Sequence, residues 1–119
     1  MSVYFIHLGR YVKVGFSDNP EQRFRKLFAG NTSYSAPWDC PRRLSERSLL
    51  GHVGGSKGDE RIAHQILRDY GVGCEFYLAE PAVFTYVESC LAENRVFIPP
   101  IARTDGPAKF VGQTPGRSA

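Results

Sequence analysis

The chain has 119 residues, 42% hydrophobic and 23% charged, with a formal charge of +3 and a pI near 8.9. That length allows one domain built around one core, and no apolar run approaches the ~20 residues that a membrane span needs. The start, Met1-Ser2-Val3-Tyr4, lacks the basic and apolar stretches of a signal peptide, so a cytoplasmic protein with no membrane partner is expected.

The first segment alternates Val3, Phe5 and His7 with Tyr4, Ile6 and Leu8, the period of a strand. Gly9-Arg10 fits a two-residue hairpin turn with Gly first. The second strand alternates Val12, Val14 and Phe16 with Tyr11, Lys13 and Gly15. This turn length opposes Leu8 to Tyr11, Ile6 to Lys13 and Tyr4 to Gly15. Tyr4 and Lys13 become diagonal neighbours on one face, while the valines and phenylalanines supply the core face. His7 alternates with core residues and reads as structural.

A helix is expected from Asn19, a favoured N-cap, with Pro20 at its first position and Gln22 three residues after the cap. Phe24, Leu27 and Phe28 form its apolar stripe, Arg23 borders that stripe, and Gly30-Asn31 ends the helix. Residues 32–44 read as loop, where Tyr34 and Trp38 either stack on exposed bases or pack as a lid. A third strand fits Arg47–Val53, weakened by Gly51. Gly54-Gly55-Ser56-Lys57-Gly58 lacks phosphate-loop spacing and reads as a turn.

A second helix is expected over Asp59–Tyr70 from the spacing of Ala63, Ile66, Leu67 and Tyr70. Glu60 points along its buried face in the first turn. Gly71-Val72-Gly73 ends it, and Glu75-Phe76-Tyr77 follows as a short extended piece. Pro81 opens a third helix with Val83, Phe84, Val87, Cys90 and Leu91 inward. The expected fold is therefore α/β (α+β): a small three-stranded antiparallel sheet flanked by about three helices, in the order β-β-α-β-α-α. It occupies residues 1–98. Residues 99–119 form a basic tail rich in Pro and Gly.

The cysteines Cys40, Cys74 and Cys90 are odd in number and widely spaced, which argues against a zinc ribbon or a disulfide framework. Arg103, Lys109 and Arg117 against Asp105 place +2 in the tail and leave +1 for the rest. Affinity for phosphates must then come from placement of charge rather than from its total.

In this order the polar residues form a pattern that resembles the GIY-YIG endonuclease superfamily. The likeness is to a compact branch, often found in phages and mobile elements, with lysine in the second motif. Ser2-Val3-Tyr4 stands at the first motif and Lys13-Val14-Gly15 at the second. Asn19 to Leu27 looks like the family's arginine helix, Asp59 to His64 like its glutamate helix, and Glu75-Phe76-Tyr77 like the extended segment after it. The match spans roughly residues 2 to 91. Typical members carry a histidine where Leu27 stands, and a late asparagine that has no clear counterpart near Glu75 or Tyr77.

The resemblance implies a metal-dependent endonuclease that hydrolyses phosphodiester bonds in DNA. It makes Tyr4, Lys13, Arg23 and Glu60 the expected catalytic set, gathered on one face. Arg23 offers a planar fork for phosphate and Lys13 a point charge. Glu60 is the expected ligand of Mg²⁺ or Mn²⁺. Tyr4 positions or deprotonates the attacking water, which requires positive charge nearby because a phenol ordinarily titrates near ~10. Arg25, Lys26 and His64 are expected against the substrate, His64 either on phosphate or in packing. Two other readings stand beside this one. One is a nucleic-acid-binding module on the same fold without turnover; the other is an interaction module whose tail docks a protein partner.

Overall fold

The computed structural model describes residues 1–28 and 36–99. The expected helix stop at Gly30-Asn31, the aromatic Tyr34 and nearly all of the tail lie outside them. Strands β1 (Ser2–Leu8) and β2 (Tyr11–Ser17) form the hairpin, with Leu8 opposite Tyr11, Ile6 opposite Lys13 and Tyr4 opposite Gly15. Gly9 takes a φ of +59°, as a turn with Gly in its first central position requires. Helix α1 (Pro20–Lys26) starts on Asn19, whose side chain accepts from the Gln22 N–H at 3.2 Å. The helix stops sooner than its apolar stripe suggests: Leu27 is extended and Phe28 has a φ of +71°.

Strand β3 (Arg47–Gly54) pairs antiparallel with β1, and a bulge at Gly51 lets it run past the glycine that weakened the expectation. Helix α2 (Lys57–Ile66) begins two residues before the expected Asp59. Ser56 caps it by accepting from the Asp59 N–H, and the Asp59 carboxylate accepts from the Ser56 N–H. It also ends earlier than Tyr70, giving way to a single tight turn over Arg68–Tyr70. Helix α3 (Pro81–Glu93) closes on Asn94 in the left-handed conformation.

The sheet has five strands, not the three expected from the sequence, in the spatial order β3-β1-β2-β5-β4. The additions are β4 (Gly71–Gly73) and β5 (Phe76–Leu78). Glycines usually end helices, and each added segment has only three residues. No periodicity is visible at that length; β5 is a strand because it pairs with the free edge of β2, and β4 because it pairs with β5.

Both faces of the sheet are covered. Val3, Phe5, Val12 and Val14 pack with Ala63 and Leu67 of α2 and with Val83, Val87 and Cys90 of α3. His7 belongs to this side structurally, edge-on to Phe84 and bonded to the Gly9 carbonyl. On the opposite face Tyr4, Ile6, Leu8, Tyr11 and Phe76 pack with Leu27 and Cys40. Arg47 ties α1 to this layer. Its buried guanidinium donates to the carbonyls of Phe24 and Arg25 at 3.0 and 3.1 Å, which serves the open C-terminal end of α1.

Gly15 matters to this second face because the Tyr4 ring lies directly over it. A Cβ at Gly15 would collide with the Tyr4 hydroxyl and ring edge, whereas one at Gly54 would meet nothing within 4 Å. Gly15→Ala is expected to cost about 1–3 kcal/mol, lowering the melting temperature by roughly 5–15 °C, while Gly54→Ala leaves it nearly unchanged. Equal melting temperatures for the two variants in a calorimetric scan would contradict this placement of Tyr4.

Candidate active site

Lys13 is the centre of the site. Its side chain is 1% exposed although it carries an ammonium group. It donates to the Tyr4 hydroxyl oxygen at 3.0 Å and to the Glu75 carboxylate, and it lies 5.1 Å from the centre of the Tyr4 ring. Burial alone would lower the Lys13 pKa, but Tyr4 and Glu75 outweigh it and the net shift is upward. Burial pushes the Tyr4 phenol up, against the opposing pull of Lys13 and Arg23. At neutral pH the pair is therefore an ammonium donating to a neutral phenol.

Glu75 joins this pair to a second group. β5 covers β2 only from Tyr11 to Lys13, and the next contact is the Val14 N–H donating to the Glu75 carbonyl at 3.0 Å. Glu75 thus sits where the outer edge of β2 becomes free. From there its carboxylate reaches Lys13 on one side and the cluster of Glu60 and His64 on the other. One donor atom from each of Glu60, His64 and Glu75 falls within 4.8 Å of the others.

Glu60 is 6% exposed, in the first turn of α2. The His64 Nε2 lies 3.3 Å from its Oε2, and Lys57 lies 3.7 Å from its Oε1. His64 Nδ1 is hydrogen-bonded to the Tyr77 hydroxyl. These groups open into a cleft of about 340 Å³ lined by Lys57, Glu60, Arg61, His64, Cys74 and Glu75.

The cluster suits a small divalent cation by its donors. The two carboxylates suit Mg²⁺ or Mn²⁺, while the imidazole adds a nitrogen donor that transition metals take more readily than Mg²⁺ does. Lys13 occupies Glu75 Oε1 and leaves Oε2 for a further partner. A buried carboxylate close to a second carboxylate is also where a cation offsets the most repulsion.

The expected residues do not all meet on one face. Tyr4 and Lys13 lie on the α1 side of the sheet, and Glu60 rides on a helix packed against the other side. They come together only around the sheet edge, through Glu75. Arg23 is on the surface of α1, and its charge acts on the Tyr4 hydroxyl. His64 joins the cluster, paired with Glu60 and Tyr77. Arg25 instead lines a separate hollow with Glu21, Phe24, Leu44 and Leu49, and Lys26 is exposed in the last turn of α1. Two participants were not singled out from sequence. Glu75 and Tyr77 stood only as the two ends of a short extended piece, near the place of an asparagine in the family the chain resembles.

The fold and site define an α+β domain in which buried cationic, phenolic and acidic groups converge at a sheet edge. Among known proteins, the chain matches no family model, no curated protein and no solved structure. No helix among the described residues is long and apolar enough to cross a membrane.

Tyr77 carries a pH signature. Burial, with Glu75 and Glu60 nearby, raises its pKa from 10.0 to about 12. The unfolded phenol ionises first, so the stability it contributes is complete below pH 10 and drains away as the pH climbs from about 10 to about 12. Urea unfolding across that range should show a loss of about 2–3 kcal/mol from this group. Tyr77→Phe should flatten the decline; an unaltered slope would mean that Tyr77 ionises freely in the folded protein.

Proposed function

We propose that this protein is a divalent-metal-dependent endonuclease that hydrolyses phosphodiester bonds in DNA, a GIY-YIG-like nuclease working in the cytoplasm. The observation that carries the reading is the Lys13–Glu75 ion pair, which links the Tyr4 hydroxyl to the Glu60–His64 pair across the sheet edge.

Hydrolysis joins a water oxygen to phosphorus and breaks the bond to one sugar oxygen. Tyr4 orients that water, and its oxygen takes the departing proton once the phenol has ionised. Lys13, hydrogen-bonded to that oxygen, and Arg23 offset the phenolate charge. Arg23 also suits a non-bridging phosphate oxygen, where charge builds during attack. Glu60, with His64 and Glu75, would hold the cation, which when bound polarises the phosphate and stabilises the leaving oxygen. Lys57 and Arg61, exposed at the cleft, supply positive charge for the strand on either side.

The competing reading, a nucleic-acid-binding module without turnover, draws on Leu27. This buried apolar side chain stands where the family the chain resembles carries a histidine. It predicts salt-sensitive binding without cleavage.

Purified protein with supercoiled plasmid and Mg²⁺ or Mn²⁺ should produce nicked circles, and chelation should stop the reaction. Glu60→Ala and Lys13→Met should each lower the rate at least ~100-fold, as expected for loss of groups acting on transition-state charge. Because the reactive form of Tyr4 is its phenolate and its pKa is raised, wild-type rates should climb with pH above 7, approaching about tenfold per unit. Nicking that survives both Glu60→Ala and Glu75→Ala would remove the metal assignment; binding without metal-dependent nicking would favour the competing reading.

A further inference from the structure

Trp38 is the chain's only tryptophan and is 92% exposed. It does not pack as a lid. It sits with Asp39 at the crest of a turn closed by the Cys40 N–H donating to the Pro37 carbonyl at 3.0 Å. The neighbours of Trp38 are fastened. The Tyr11 hydroxyl donates to Asp39 Oδ1 at 2.5 Å, and Arg10 donates to Oδ2 at 3.2 Å. Cys40 is buried, and Pro41 covers Gly9 so closely that a Cβ there would fall 2.8 Å from the proline ring. Asp39 and Cys40 thus anchor the turn inward while the indole faces solvent from a fixed base.

The surroundings favour a polyanion. Arg10, with its side chain 78% exposed, and the exposed Arg42 and Arg43 lie on or beside this turn, and Asp39 is already engaged by Arg10 and Tyr11. The turn is tied, through the Tyr11 hydroxyl on Asp39, to the strand and sheet face that carry Lys13. Tyr11 and Lys13 are alternate residues of β2, so their backbones stand about 7 Å apart, roughly two steps of a stacked strand.

We propose that Trp38 is a stacking platform for an unpaired nucleobase one or a few nucleotides from the cleaved phosphate, with the neighbouring arginines on the flanking phosphates. An indole face accepts any base, but only one that has left the duplex or was never in it. The proposal rests on the nuclease reading, and it adds a preference for frayed, flipped or single-stranded substrate at this position.

Because Trp38 is the only tryptophan, intrinsic fluorescence reports on it alone. The full chain, without divalent metal, is titrated with a 12-nucleotide oligothymidine and with a blunt hairpin duplex, and binding is followed in parallel by anisotropy of labelled strands. Saturable quenching by oligothymidine is expected. Trp38→Ala should weaken oligothymidine binding about tenfold and leave duplex binding unchanged, while Trp38→Phe retains most of the affinity. Binding seen by anisotropy without quenching, or equal affinity in Trp38→Ala, would overturn the platform while leaving nicking by the wild type intact. Fluorescence that shifts with protein concentration alone would make Trp38 a self-association contact and overturn it as well. Absence of both DNA binding and nicking would sink the nuclease reading, and this proposal with it.

Discussion

A buried ammonium group is costly unless its charge is met, and in this fold Lys13 sets that condition. Its compensation comes from two segments: the Tyr4 oxygen and ring from β1, and the Glu75 carboxylate and Phe76 ring from the start of β5. Each part constrains another. The hairpin register must place Tyr4 opposite Gly15, because only a residue without a side chain leaves room for the ring. β5 pairs with β2 as far as Lys13, and the Val14 N–H donating to the Glu75 carbonyl holds Glu75 at the end of that pairing. Removing either hydrogen-bonding partner would leave a charge inside the protein with too little opposing it.

The sheet edge explains how a small domain brings together groups that begin on opposite faces. Side chains on neighbouring strands normally communicate across one face, and covering helices isolate the two faces from each other. Here α1 covers the Tyr4 side while α2 and α3 cover the other. At the outer edge of β2 beyond Lys13, Glu75 reaches Lys13 on one side and lies near Glu60 and His64 on the other. The cleft opens there, lined by basic Lys57 and Arg61 as well as by the acidic groups. A polyanionic strand laid along that edge would meet positive charge before reaching the carboxylates.

Much of this was legible from sequence where local chemistry is decisive. A two-residue turn sets the hairpin register, and an Asn-Pro pair marks the start of α1; both are read from neighbours in the chain. The Ser56–Asp59 capping box was equally local, yet the glycines around Ser56 disguised it as a turn. The face occupied by Glu60 was not legible, because helical spacing shows that Glu60 lies beside a buried stripe but not which side of the sheet that stripe covers. Glu75 was hidden for a related reason. Its importance comes from the pairing of a three-residue strand, and that pairing depends on a partner more than fifty residues earlier in the chain. Arg47 reads as the polar start of a strand, and only the early end of α1 exposes the carbonyls that it serves.

The Tyr77–His64–Glu60 chain bears on how such a site would take a cation. Without one, the two contacts are compatible with a Tyr77 hydroxyl donating to Nδ1 and Nε2–H donating to Glu60. A cation drawing on the Nε2 lone pair requires the other neutral tautomer, with Nδ1–H donating to the Tyr77 oxygen. Burial and the nearby carboxylates keep the Tyr77 phenol protonated, so its oxygen can accept that bond while its own hydrogen turns elsewhere. In that tautomer His64 would present its Nε2 lone pair, beside the Glu60 carboxylate, to a bound cation. Phenylalanine at position 77 would preserve the packing yet remove the acceptor that holds the metal-ready tautomer. Tyr77 therefore connects the stability of the core to the orientation of the His64 imidazole.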